Sequence, residues 1–422
     1  MTRAPHTIPL AVLPLGGQRY SCHGCGDCCR DFTVQLRPAD LARIEAQGWE
    51  ARLGEPVTVE FRGQRYLRQR DDGACVFLME DGRCRIHAER GVHAKPLACQ
   101  LFPFVFAPAA ESVRVGVSFA CQSVLRNKGA ALATHLKDVR TLADQVPELV
   151  PTRTLLARGL PAEAGEIAAV EGAFDRWLRA EDQPLRVRLD GLAWLAQQLA
   201  RARLAAVRGD RLRELLDLLV TALPDELPLH PLEPATAAQR AALRQAAFFR
   251  LEDPKIGEMR RVGRMRAVLG QYMRSRAFSR GRGAMPATGD RWPVGASFES
   301  VERVAGVAAS PERAAVEDLL ARWLRGTVLG GRAWGSGFYG WPVVAGLQAL
   351  ALNAACALWL ARAHAAAHGR PAPSFADMEA AVGRVDRASG RAPWIGSRAE
   401  ALRLRYLCAD DGLRRVLALD PA

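Results

Sequence analysis

The chain has 422 residues, with 58 Lys and Arg against 45 Asp and Glu and a formal charge of +13 at pH 7. That length suits two or three domains, and an apolar content of 49% excludes a disordered chain. Arg carries nearly all the positive charge, since Lys stands only at Lys95, Lys128, Lys137 and Lys255. A basic balance permits nucleic acid or an acidic partner. The charges are spread out with few aromatics among them, which disfavours nucleic acid.

Met1 to Gly17 holds a short apolar run broken by Pro9 and Pro14, without a small-residue cleavage pattern. No signal peptide is read there, and the expected compartment is the reducing cytosol. From Asp31 to Leu36 the sequence predicts a strand, then a helix opening at Pro38, with Leu41, Ile44 and Trp49 at roughly helical spacing. Val57 to Phe61 and Arg65 to Leu67 predict two strands around Arg62-Gly63-Gln64. Cys75 to Cys84 encloses Asp81-Gly82, a hairpin turn signal that would fold Cys75 back towards Cys84. Lys95-Pro96 marks a break before Cys99. Leu101 to Phe106 is a strand candidate interrupted by Pro103. Val113, Val115, Val117 and Phe119 alternate as a half-buried strand leading to Cys121.

Beyond Leu125, Ala, Leu and Arg recur at helical spacing after punctuation at Pro147, Pro151 and Pro161. Helices are predicted within Leu185 to Leu223, Thr236 to Phe249, Gly257 to Phe278 and Pro311 to Arg325. Ala277 to Ala296 and Gly330 to Trp341 are predicted loops. Val343 to Ala361 is uncharged and long enough for a membrane span, but its Ala content, Gln348 and Asn353 predict a buried helix instead. The expected fold is α+β: a cysteine-rich metal-binding domain over 1–125, then a mainly α-helical region over 126–422 with a break near 277–296.

Eight of the ten cysteines fall between Cys22 and Cys121. Cys22, Cys25, Cys28 and Cys29 come together in Cys-His-Gly-Cys-Gly-Asp-Cys-Cys, followed singly by Cys75, Cys84, Cys99 and Cys121. In a reducing compartment such density signals metal or catalysis rather than disulfides. Zinc and iron–sulfur centres are both commonly held by four thiolates. One loop can aim Cys22, Cys25 and Cys28 inward, with Gly24 and Gly26 giving it backbone freedom. Neighbouring side chains diverge, so Cys28 and Cys29 could serve different metal positions. Two four-ligand sites, or one cluster and one zinc, are both open. Iron–sulfur suits eight thiolates slightly better. His23, His87 and His93 are read as neighbours of the thiolates rather than ligands, with His87 the nearest to a ligand position. Cys356 and Cys408 are assigned to the core.

At these residues the sequence resembles the zinc- or iron-chelating cysteine-cluster family with the CxxCxxCC signature. The match continues through Cys75 to Cys84 with Arg85-Ile86-His87, Lys95-Pro-Leu-Ala-Cys-Gln-Leu-Phe-Pro-Phe104 and Ser118-Phe-Ala-Cys121. It departs at Lys95, where the family usually has Arg. The family includes the flagellin lysine-N-methylases, which join such a domain to a long helical remainder. The resemblance therefore implies a metal-binding protein or, alternatively, a lysine N-methylase using S-adenosylmethionine on a flagellin-like protein substrate. Gly330-Gly331 and Gly335-Ser-Gly337 lack the strand–turn–helix setting of a Rossmann-type donor site and are read as loop. A protein partner or substrate is expected. Arg260, Arg261, Arg264, Arg266, Arg274, Arg276, Arg280 and Arg282 cover most of a helix circumference and are read as a solvated face.

Overall fold

The computed structural model describes residues 10–12, 17–108, 112–146, 152–252, 262–288 and 292–421. Pro9, Pro14, Pro147, Pro151, Lys255, Arg260 and Arg261 lie outside the described residues, as does the start of the predicted basic helix. The architecture is α+β, with small sheets towards the N-terminus and helices beyond. Thr58–Phe61 and Gln64–Leu67 pair as a hairpin, and Gln35–Leu36 adds a third strand. The hairpin turn is Arg62-Gly63, both with positive φ, and Gln64 already pairs with Phe61. Pro38 opens the helix Pro38–Glu45, where its missing N–H is not needed. This layer packs on Leu36, Ile44, Trp49, Val57, Leu67 and Phe77.

A second sheet pairs Phe104–Pro108 with Val113–Val117, and Leu10–Val12 runs parallel to the latter. Two strand predictions are corrected here. Asp27–Asp31 is a short helix, so the strand expected from Asp31 shrinks to Gln35–Leu36. Leu97–Leu101 is also helical, and a cis Phe102–Pro103 bond separates it from the strand that starts at Phe104. In both places the helical turn carries cysteines, and tertiary packing overrides the local apolar pattern.

The helical body forms around Val343–Ala367, which is buried along nearly its whole length. By length and composition it could cross a membrane, but 89% of its apolar window is buried by protein. It is packed by Leu185–Arg201, Ala237–Leu251 and Phe375–Ala388. Two of these helices start where the chain supplies its own caps: Thr236 with Gln239, and Ser374 with Asp377, form reciprocal capping boxes. The apolar core of this body also takes in Val117, Phe119, Cys121, Val124 and Leu125. Packing is therefore continuous across residue 125.

Phe375–Ala388 is the helix against which the cysteine region is docked. Arg387 pairs with Asp31 at 2.7 Å. Arg126 binds Glu379 through two nitrogens, at 2.6 and 2.9 Å. Just beyond the helix, Arg391 lies 5.1 Å over the Phe32 ring.

Candidate metal centre

Each cysteine reaches its position by a different local device. Gly26, at φ 75, caps the helix Asp27–Asp31 that carries Cys28 and Cys29. A Cβ on Gly26 would lie 2.9 Å from Leu78 and 3.0 Å from the Gly82 carbonyl. A Cβ on Gly82 would lie 2.6 Å from the Gly24 carbonyl. The Cys22–Cys29 loop and the Cys75–Cys84 hairpin thus touch backbone to backbone, and only glycine permits it. The hairpin closes at Asp81-Gly82 as the sequence predicts, with the Gly82 N–H donating to Met79 O and Leu78 bridging Cys84. The Cys75 N–H donates to Cys29 O at 2.8 Å, which ties the two segments together.

Cys99 is set by Asp40. This carboxylate is 1% exposed and accepts from Arg37, Arg43 and the Leu97 N–H at the start of the Cys99 helix. Cys121 is set by Asp386, which is 2% exposed on the docking helix. Asp386 accepts from the Ser118 hydroxyl at 2.8 Å, the Ala120 N–H at 3.1 Å and the Trp323 indole at 3.2 Å. Arg332 donates to both its oxygens, at 2.8 and 3.1 Å. Burial opposes ionisation of Asp386, but Arg332 and Ser118 hold its carboxyl below the usual range.

Seven of the eight cysteines line one cavity of about 510 Å³: Cys22, Cys25, Cys28, Cys29, Cys84, Cys99 and Cys121. Cys75 lines an adjoining cavity of about 300 Å³, together with Cys28, Cys29, Cys84 and Cys99. All eight are free thiols. Cys22 and Cys25 are exposed, whereas Cys75 and Cys121 are buried. Lys95 lines both cavities. Burial works against its ammonium, yet the charges of Cys99, Cys84, Cys28 and Cys29 outweigh that and raise its pKa.

The thiols divide electrically. Burial pushes Cys25 up to about 11 and both Cys75 and Cys121 up to about 12. Coupling among the three neighbouring thiols raises the pKa of Cys29 and lowers those of Cys28 and Cys84, the last to about 6. Protons must leave the thiols when metal enters.

His23 is occupied by Ser123, 3.0 Å from Nδ1, and lies 3.4 Å from Gln122. His87 lines the larger cavity, and His93 is exposed outside it. Among the described residues, the donor atoms that gather three at a time within 4.8 Å are those of His364, His368 and Asp377. Asp377 already accepts from Arg370 and Ser374 and caps its own helix, so that group is a structural knot. The cysteine sulfurs stand farther apart around their cavities.

Residues 21–123 match the family model CxxCxxCC, described as "Putative zinc- or iron-chelating domain". The N-terminal region is a CxxCxxCC domain. Over 90 residues the chain is 34% identical to an uncharacterized protein of Methanocaldococcus jannaschii, a stretch covering 21% of this chain and 30% of the relative. The chain thus spans about 30% of the length of the curated relative it matches. No solved structure matches the chain. The CxxCxxCC domain ends close to Cys121, and the helical body lies outside the matched residues.

Sequence reasoning missed Asp40, Asp386, Arg332 and Tyr20, and saw Lys95 only as a departure from a motif. On the arginine-rich helix Arg264–Arg280, Arg266, Arg276 and Arg280 are exposed, as expected of a solvated basic face. Arg274 is bound to Glu252, while Met265, Val268, Leu269, Tyr272 and Met273 are exposed beside Arg266 and Arg276. The Gly330–Gly337 loop approaches the second sheet, with a Cβ on Gly116 falling 3.1 Å from Gly330 Cα.

Proposed function

We propose that the CxxCxxCC domain holds iron–sulfur chemistry on its eight cysteines, and that the helical body presents it to a protein partner. The observation that carries this reading is the cavity of about 510 Å³ ringed by seven cysteines. A tetrahedral zinc with bonds of about 2.3 Å draws its thiolates to about 3.8 Å from one another. Sulfurs set around an open cage suit a polynuclear cluster better. The donor set is thiolate throughout, which is the ligand chemistry of such clusters. When bound, the cluster would supply one-electron transfer or substrate ligation. Lys95 would offset the negative charge of the thiolates, and Tyr20 and Phe102 would shield the cavity walls.

Anaerobic purification of the full chain followed by iron, sulfide and zinc analysis and an absorption spectrum tests this. Expected are iron and acid-labile sulfide in equal amounts, with visible colour. A colourless protein carrying zinc alone would refute the iron–sulfur assignment, and a metal-free one would refute the whole reading.

The layout of a cysteine domain docked on a long helical body supports a second reading, a protein lysine N-methylase using S-adenosylmethionine. Methyl transfer to a lysine of a flagellin-like protein by the metal-loaded chain would support it. Total absence of transfer across such substrates would favour the first reading. A cytosolic location goes with either, since reduced thiolates persist there.

A further inference from the structure

We propose that the eight cysteines form two separate four-thiolate metal centres: an outer one of Cys22, Cys25, Cys28 and Cys121, and an inner one of Cys29, Cys75, Cys84 and Cys99. This rests on the metal-binding reading above and goes beyond it in number and assignment.

Packing supplies the first ground. Cys29, Cys75, Cys84 and Cys99 all pack against the same apolar cluster of Ile44, Trp49 and Phe77. None of the other four does. Cys121 belongs to the core of the helical body, and Cys22 and Cys25 face solvent.

The cavities supply the second ground. Cys22, Cys25 and Cys121 border only the larger cavity, and Cys75 borders only the smaller. Cys28, Cys29, Cys84 and Cys99 form the wall between them. One centre reaching from Cys22 to Cys75 would have to span both spaces. Eight thiolates also exceed what one zinc or one ordinary cluster takes, since four is the usual number.

The wall residues are assigned by their neighbours. The Cys29 carbonyl holds the Cys75 N–H at 2.8 Å. Cys99 shares the inner apolar cluster with Cys75 and Cys84. Tyr20 lines the larger cavity and is not among the residues lining the smaller one. Successive residues on a helix point about 100° apart, so Cys28 and Cys29 can enter different centres from one turn.

The test uses the anaerobically purified full chain and its Cys121→Ala and Cys75→Ala variants. Iron and sulfide per chain, electron paramagnetic resonance of the reduced protein and far-ultraviolet circular dichroism are read for each. Each variant should keep about half the metal and one resonance signature, the two remainders being different. The double variant should keep none. Wild-type protein should also lose metal to a chelator in two phases, the solvent-facing centre first, which needs no variant to fold. Loss of all metal in either single variant, or single-phase release, would overturn the division. So would full metal in Cys75→Ala. A wild-type chain without metal would instead sink the earlier reading, so the two failures are distinguishable.

Discussion

Asp386 gathers more of the molecule than any cysteine does. Its carboxylate binds the loop before Cys121, the Trp323 indole and the Arg332 guanidinium in a buried setting. Removing one partner of such a buried pair leaves an uncompensated charge. Asp386→Ala should therefore cost about 3–5 kcal/mol in a denaturant titration, and the metal-loaded protein should lose the outer centre. The pH dependence has a fixed sign. The folded carboxyl titrates below its ordinary 3.8. Its contribution is thus complete above about pH 4 and lost as pH falls through the folded value. In Asp386→Asn that part of the acid limb should vanish from a plot of melting temperature against pH; an unchanged limb would show that other carboxylates carry it. The cysteines were legible in sequence because metal chemistry demands thiolates and their spacing is local. Asp386 was not, because it stands 268 residues from the Ser118 it binds, and an isolated Asp inside a helix announces nothing.

At the scale of elements, the decisive junction is the backbone contact between the Cys22–Cys29 loop and the Cys75–Cys84 hairpin. Gly82 has φ 83, and a side chain there would meet the Gly24 carbonyl. Gly82→Ala should therefore lose more than about 1 kcal/mol in thermal unfolding and bind less metal, with secondary structure elsewhere retained by circular dichroism. Equal metal content in the variant would mean that loop and hairpin need not meet. The hairpin turn itself was readable from Asp81-Gly82, and the helix at Pro38 from its proline. The short helices holding Cys28, Cys29 and Cys99 were not. They span five residues each, too few for a helical period to emerge, and isolated helices of that length are unstable without tertiary support.

At the scale of the whole molecule, apolar packing runs across the point where composition changes. Ala and Leu take over near residue 125, yet Val117 to Leu125 already lies in the helical core. Three polar anchors, Arg387–Asp31, Arg126–Glu379 and Asp386 with Ser118, join the cysteine region to one helix. Metal binding to thiolates contributes folding free energy outright. Stripping the metal should accordingly lower the melting temperature of the helical body as well, followed through the far-ultraviolet circular dichroism of its helices. A helical signal indifferent to chelation would mean that the two parts unfold separately. Charge pattern did not reveal this coupling, because the pairs involved are ordinary Arg and acidic residues among 58 and 45 of their kind.

The docking helix has one further implication. Its inward side, from Glu379 through Asp386 to Arg387, grips Asp31, Ser118 and Arg126 at the edge of the cysteine region while contributing no sulfur itself. Damage to that side would empty the thiol site from a distance: a substitution more than 250 residues downstream of the signature would be noticed first as a loss of bound metal, in a chain whose every thiol was intact.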